Sequence, residues 1–549
     1  MINLMISKKN LPSPKFFSTR PFLLSAILLF FLCLLAYSNC FRHGFLLDDY
    51  THLLNEDNLE KVTWAELFSK AYKGFYRPFA FMFLKGMLGV FKDAGVAYHV
   101  FNLILFYGIC LMFYRLWIEL FKDQRLALLA CSLFAAHPVN AMLVNYKTAS
   151  NNSIFILCMQ MSAWLLVKSM DARKTGYYYA SLLFYFLSLL SHEISFILPV
   201  YLFLILFLLR DYGGKKSGVS CLSFLVPLTV YLIIRRNIAG LSPMADPFHL
   251  GISFIQYVGT LMSLIGWYLQ KLVVPVNILF IWDERIAEGG TAVFYAVFLM
   301  MVVAVVAGVL YRRRPGDVKT FGAGLLAAGF IPLGLAGFTY SASMKTVIIE
   351  PHWFGFSSMG FFLLAAGILI NLRKFAHEKI RIPALVILLG TLLLLTRTGN
   401  AVWKDEETYC TNWIETNALN GEPWNCLARV YRAKHDQGLN KNRYQDCTEA
   451  AYLAFAYHVT GDGTRSLNYY NMALDINRDC PVAYYGLGLL YTIAQDEGSA
   501  AWAYDNALRL NPGYYPLVKK LEDVFYNRRK KDAARRIREL FLSESFKGP

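Results

Sequence analysis

The sequence predicts an all-α chain: a polytopic membrane helical bundle of about eleven spans, followed by a soluble C-terminal helical-repeat domain. Three observations lead there. Apolar residues make up 56% of the 549 positions and charged residues only 17%, more apolar material than a soluble core of this size buries. The apolar residues gather into runs of roughly 20, the length that crosses a bilayer as a helix. After Thr398 those runs stop, and aromatic and alanine positions recur at fixed offsets in a mixed-charge background.

The first run, Pro21 to Phe41, follows Lys8, Lys9, Lys15 and Arg20. It is too long for a signal-peptide core and no small-residue cleavage site follows, so it reads as a span. Further spans are expected near 98–121, 126–144, 152–168, 177–190, 194–209, 219–234, 291–311, 321–340, 354–371 and 383–397. Two other apolar segments, Phe79 to Phe91 and Ile252 to Val274, compete for the count. The second is read as re-entrant or interfacial, because a crossing there would put Arg312-Arg313-Arg314 on the wrong side.

The net charge of +16 belongs to the membrane half, where short basic loops obey the positive-inside rule, rather than to a nucleic-acid surface. Those loops are the N-terminal lysines, Lys122 to Arg125, Lys168 to Lys174, Arg210 to Lys216, Arg312 to Arg314 and Arg373 to Arg381. They define a cytoplasmic side. Asp48-Asp49, His137, Lys147, His192-Glu193, the stretch Arg235 to Glu288, Glu350 and everything after the last span fall on the exoplasmic side. Five cysteines lie in apolar runs as small hydrophobes. Of those outside the runs, Cys410, Cys426, Cys447 and Cys480 can form a disulfide if that region is exported. No metal-type cysteine spacing occurs.

The clearest repeat begins at Pro481. Tyr484, Leu487, Gly488, Tyr491, Ala500, Tyr504, Ala507 and Pro512 follow the tetratricopeptide pattern of two helices in about 34 residues. One period back lie Tyr457, Tyr470 and Ala473. Trp424, Leu427, Ala428 and Tyr431 make a weaker copy, and the basic stretch Arg528 to Phe541 reads as a polar cap on the stack. The expected domains are therefore 1–398, with an exoplasmic first loop at 42–97, and 399–549.

A carboxylate pair directly after Phe45-Leu46-Leu47 should sit where water, substrate or a cation reaches it, because ionised acids are costly in hydrocarbon. Asp48-Asp49 is such a pair; a solvated loop or a helix cap is the plain alternative. Tyr76-Arg77-Pro78 places a guanidinium in the same loop, able to hold a phosphate bidentately or simply to snorkel. His137-Pro138 ends the third span and Lys147 follows it. His192-Glu193 interrupts an apolar hairpin. Glu350-Pro351-His352-Trp353 repeats the pattern of polar groups at the exoplasmic end of a span.

The order Phe45-Leu46-Leu47-Asp48-Asp49, Tyr76-Arg77-Pro78, His137-Pro138, His192-Glu193, Leu272 to Pro275, Glu350 to Ser357 and then a tetratricopeptide array resembles the transmembrane and tetratricopeptide-repeat glycosyltransferases. These are relatives of the protein O-mannosyltransferases in the multi-span GT-C class. The resemblance spans nearly the whole chain. It implies transfer of a sugar, often mannose, from a polyprenyl- or dolichyl-phosphate donor to Ser or Thr hydroxyls at the exoplasmic face, with the acidic pair carried over to Asp48 and Asp49. Arg77, Glu193 and Glu350 occupy matching segments. Relatives often carry Glu-Arg-Tyr-Leu-Tyr-type residues where this chain has Glu350-Pro351-His352-Trp353-Phe354.

A lipid phosphate is already a good leaving group, so such a site needs cations for the phosphate and a base for the acceptor hydroxyl. Asp48 is the expected base, and Asp49 orients the acceptor or binds a cation; the two roles are interchangeable at this level. Arg77, with Lys147 or Arg235-Arg236, is expected to neutralise the phosphate. His137, His192, Glu193, Glu350 and His352 are further active-site candidates. Single displacement implies inversion. No metal-ligand cluster is expected, and a divalent cation at Asp48-Asp49 is the minority alternative. The lipid-linked sugar is the co-substrate, and the repeats are expected to bind the acceptor protein or a recruiting partner. The compact loops favour a bacterial inner membrane with periplasmic repeats over an endoplasmic reticulum membrane. The competing readings are a glycosyltransferase for an envelope polysaccharide or lipid, and a non-catalytic membrane scaffold.

Overall fold

The computed structural model describes residues 19–55, 57–209, 220–238, 253–279, 282–287, 317–332, 346–371, 378–416, 423, 426–427, 429–430, 447–459 and 463–514. It divides into two compact units, Met1–Lys404 and Asp405–Pro549. The architecture is helical. In the first unit the helices are α1 (Thr19–Tyr37), α2 (Trp64–Ser69), α3 (Pro78–Phe91), α4 (Gly95–Phe121), α5 (Gln124–Ala136), α6 (Met142–Asn145), α7 (Ser150–Ala172), α8 (Thr175–Leu189), α9 (Leu198–Leu204), α10 (Leu225–Ile238), α11 (Phe254–Val273), α12 (Val318–Ala328), α13 (Gly355–Asn371) and α14 (Glu378–Asn400). One exception to the all-α expectation is a two-stranded antiparallel ribbon, β1 (Trp282–Arg285) with β2 (Thr346–Ile349), Trp282 opposite Ile349. It delivers the chain directly to Glu350.

Among the described residues six helices are long and apolar enough to cross a membrane: Arg20–Arg42, Gly95–Phe121, Lys147–Ala172, Ser220–Ile238, Pro351–Asn371 and Lys379–Trp403. With the similarity reported below, they mark a multi-pass membrane protein. The run expected at 126–144 is two pieces bent by 64° at His137-Pro138. Proline carries no N–H and cannot continue the helix. The carbonyls freed by the break find side chains: Asn140 donates to the Phe134 carbonyl at 2.8 Å, and Thr396 of α14 donates to that of Ala136 at 2.7 Å. Without water in the hydrocarbon such pairing is obligatory. The runs at 177–190 and 194–209 form helices shorter than a span, the second broken around α9 into 3-10, α and π turns. The segment 252–274 becomes α11, which is not among the six; it buries Trp267, Tyr268 and Lys271 and exposes Phe254 and Val273. The expected span at 291–311, part of that at 321–340, most of the basic loops, the Trp424, Ala428 and Tyr431 positions of the weak repeat and the stretch 528–541 lie outside the described residues.

Lipid tails are as apolar as leucine, so packing between apolar helices in a membrane relies on close approach and on side-chain hydrogen bonds. α7 and α8 show the second: Ser162 donates to the Ser181 carbonyl at 2.8 Å and Ser181 to the Ser162 carbonyl at 2.7 Å. α12 and α13 show the first. A Cβ on Gly360 would meet the Gly322 carbonyl oxygen at 2.5 Å and the Leu326 nitrogen at 2.6 Å, so only glycine fits the crossing.

The second unit holds α15 (Glu406–Thr416), α16 (Cys447–Val459), α17 (Gly463–Ile476), α18 (Pro481–Ile493) and α19 (Glu497–Leu510). α16 packs on α17 and α18 on α19, and α18 also packs on α16 and α17. Cys447, Ala450, Ala454, Tyr470, Ala473, Cys480 and Ala483 share its core. A side chain at Gly486 would run into the Tyr470 ring. A disulfide joins Cys410 to Cys426.

Candidate active site

The acidic pair follows a tight reversal of the chain. After α1 a 3-10 turn spans Ser38–Arg42, then Leu47 adopts a left-handed φ of 46°, a conformation costing roughly 1–2 kcal/mol for a residue with a Cβ. A π-helical turn, Tyr50–Leu54, continues from the pair. The reversal splits the two acids: Asp48 is exposed, whereas Asp49 is 1% exposed.

Asp49 is held by backbone. Its Oδ2 accepts the Leu46 N–H at 3.1 Å and its Oδ1 the Thr148 N–H at 3.0 Å. Burial pushes its carboxyl up to about 6, against the opposing pull of Lys147 and these two hydrogen bonds. Asp48 donates its own N–H to Tyr146 Oη at 2.9 Å. Tyr146-Lys147-Thr148 therefore grips the pair at three consecutive residues. Lys147 completes the grip. Its buried ammonium donates to the carbonyls of His43, at 3.1 Å, and Gly44, and lies 4.5 Å from the centre of the Phe45 ring. The loop is anchored in turn by Asn102, which donates to the carbonyls of Tyr146 at 2.7 Å and Lys147 at 3.2 Å.

Lys147 lies beneath the loop, 0% exposed, with its donors on main-chain carbonyls.

A second cluster forms where the first loop meets the α8–α9 connection. Arg77 presents its fork to Glu193, Nε to Oε2 at 2.9 Å and Nη2 to Oε1 at 2.8 Å, while its plane lies 4.4 Å from the Phe75 ring. Such a bidentate pair fixes the guanidinium's orientation as well as its charge. Burial raises the cost of ionising Glu193, but Arg77 and His192 outweigh it and hold the carboxyl well below its usual range. His192 packs its ring 6.1 Å from that of His352, whose Nδ1 stands 3.2 Å from Glu350 Oε2.

Glu350 connects the clusters. Burial first, then the charges of Asp48 and Glu193, push its carboxyl up to about 8 against the attraction of Arg77. At neutral pH it carries a proton. Tyr268 of α11 donates to the Glu350 carbonyl at 2.6 Å. Arg235 adds to the positive field acting on His192; Arg236, one position on, is exposed. His137 stands apart from both clusters: its Nδ1 accepts the Val139 N–H at 3.2 Å and its Nε2 pairs with the Leu272 carbonyl at 3.1 Å, pinning the α5 break to the end of α11.

Asp48, Arg77, Glu193, Glu350, His192 and His352 thus form one electrostatically linked group, with Arg235 at its edge. Sequence reasoning missed Tyr146, Thr148, Phe75 and Tyr268. Tyrosine and threonine flanking a buried lysine in a polar loop were the one available signal. Among the described residues no group of three or more His, Cys, Asp and Glu is arranged to hold a metal ion. Each Asp49 oxygen accepts one backbone N–H group.

Residues 76–237 match the family model described as dolichyl-phosphate-mannose-protein mannosyltransferase. No curated protein matches the chain. The matched segment carries Arg77, the Tyr146-Lys147-Thr148 grip, His192, Glu193 and Arg235; Asp48, Asp49 and Glu350 lie outside it. A segment of this chain that builds much of the site is therefore similar to these mannosyltransferases, and the similarity indicates a membrane glycosyltransferase of the mannosyltransferase type.

Proposed function

We propose that this chain transfers a hexose, mannose first among the candidates, from a polyprenyl- or dolichyl-phosphate donor to Ser or Thr hydroxyls of exported protein, with inversion at the anomeric carbon. The observation that carries the reading is the division of the acidic pair: Asp49 is consumed in holding the loop, and Asp48 is left outward on a backbone gripped from below, beside a cluster rich in charge. Asp48 takes the proton of the acceptor hydroxyl as its oxygen bonds to the anomeric carbon. The bond from that carbon to the phosphate oxygen breaks, and its electrons leave with the phosphate. Arg77, oriented by Glu193, and Arg235 supply positive charge where negative charge develops. Uncharged Glu350 avoids a further negative charge beside the departing phosphate.

The two helical hairpins of the second unit we read as tetratricopeptide repeats that hold the acceptor protein or a partner recruiting it. The Cys410–Cys426 disulfide supports an exoplasmic, oxidising location for that unit, periplasmic if the membrane is a bacterial inner one. The test is transfer from polyprenyl-phosphate mannose to a Ser/Thr-rich peptide by purified protein. Asp48→Asn should lower turnover by about 10²–10⁴-fold at unchanged melting temperature. Full activity in that variant sinks the mechanism.

A further inference from the structure

The first turn of α7 carries polar groups that the proposed reaction does not use. Asn151 and Asn152 are each 6% exposed, yet the Oδ1 of each has no hydrogen-bond partner. Leaving a buried acceptor unpaired costs about 1–3 kcal/mol, so two at successive positions call for a partner.

Their direction follows from helix geometry, in which residues four apart share a face. Asn151 lies one turn before Phe155, whose ring packs 4.9 Å from His192. Asn152 lies one turn before Ile156, the side chain nearest Gly355 and so beside the Glu350-to-Phe354 segment. The two amides thus lie one turn from the residues that pack on His192 and beside Gly355. His192 adds a donor there. Its Nδ1 accepts the Ile194 N–H at 3.3 Å, which leaves the proton on Nε2, and that nitrogen is buried without a partner. Thr148, which holds Asp49, is only three residues before Asn151.

The mixture discriminates between ligand parts. An ionised phosphate offers only acceptors, so it satisfies a histidine N–H but leaves an amide oxygen unpaired. A sugar hydroxyl both donates and accepts. We propose that Asn151, Asn152 and His192 Nε2 bind ring hydroxyls of the donor hexose and so decide which sugar is transferred. This rests on the glycosyltransferase reading and names its specificity-determining residues.

The experiment compares polyprenyl-phosphate mannose with polyprenyl-phosphate glucose, epimers at one hydroxyl, on wild type, Asn151→Ala and Asn152→Ala. Sugar-free polyprenyl phosphate serves as competitor, and melting temperatures are recorded. The expected result is a fall of about tenfold in kcat/KM for the preferred epimer in each variant, a narrowed epimer ratio and an unchanged inhibition constant for the sugar-free lipid. If an alanine variant does not fold, Asn151→Ser and Asn152→Ser replace it. Unchanged epimer ratios in folded variants overturn the proposal and leave the amides to ordered water. Equal losses for both epimers with weakened inhibition by the sugar-free lipid also overturn it, moving the amides to the phosphate. Wild-type protein that transfers neither sugar defeats the glycosyltransferase reading first, and this one with it.

Discussion

The backbone N–H of Thr148 donates to the buried carboxylate of Asp49 at 3.0 Å, tying the first loop to the start of α7. Replacing Asp49 by Ala removes the acceptor for two buried N–H groups, those of Leu46 and Thr148. The expected cost is about 1–3 kcal/mol per unsatisfied group, seen as a lower melting temperature in detergent. Lys147→Met removes the ammonium that donates to the His43 and Gly44 carbonyls and should destabilise to a similar degree. Asp48→Asn should not. A chain in which Asp48→Asn and Asp49→Ala melt alike contradicts the division of roles.

The Arg77–Glu193 pair yields a double-mutant cycle. Either alanine variant alone strands a partly shielded charge, whereas the double variant removes both. We expect a coupling energy of roughly 0.5–3 kcal/mol, at the lower part of that range because both side chains keep some solvent access. Arg77→Lys keeps the charge but loses the fork, and should raise the donor KM as well. An additive cycle shows that the pair is incidental.

Glu350 sets a pH dependence. Its folded-state value of about 8 lies above the usual value of about 4.3, so the protonated form is the one folding favours. Its contribution to stability is complete below pH of about 4.3 and is lost as pH rises through about 8. Activity should follow on the alkaline side, falling near pH 8 as a new negative charge appears beside Asp48 and the departing phosphate. Glu350→Gln should abolish that alkaline limb in both melting and turnover. An alkaline limb identical to wild type assigns it to another group.

Reduction should bear on the second unit. The disulfide closes a loop with a sequence separation of 16 residues, for which chain entropy gives about 3 kcal/mol. Cys410→Ser or Cys426→Ser should therefore lower its melting temperature. Alkylation of protein purified without reductant, followed by mass spectrometry, should leave both cysteines unlabelled.

Much of the membrane half was legible because a hydrocarbon slab imposes length and composition directly: α1, α4, α7, α13 and α14 coincide with apolar runs. The run at 126–144 did not survive as one helix, though His137-Pro138 carried the warning. The ribbon between Trp282 and Ile349 had no legible signal, since two four-residue strands far apart in sequence pair only once the chain between them is placed.

For the site the division is sharper. By itself the sequence determined that an acidic pair follows the first span and that basic and acidic residues interrupt later apolar runs, because charge in such surroundings is expensive and stands out. Only the tertiary structure decided which carboxylate points outward, that Lys147 serves main-chain carbonyls, that Arg77 meets Glu193 and that Glu350 stays protonated. Those outcomes depend on burial and on partners about 100 residues away, as with Asp49 and Thr148 or Arg77 and Glu193, and a residue's protonation and hydrogen bonds are set by what surrounds it in space.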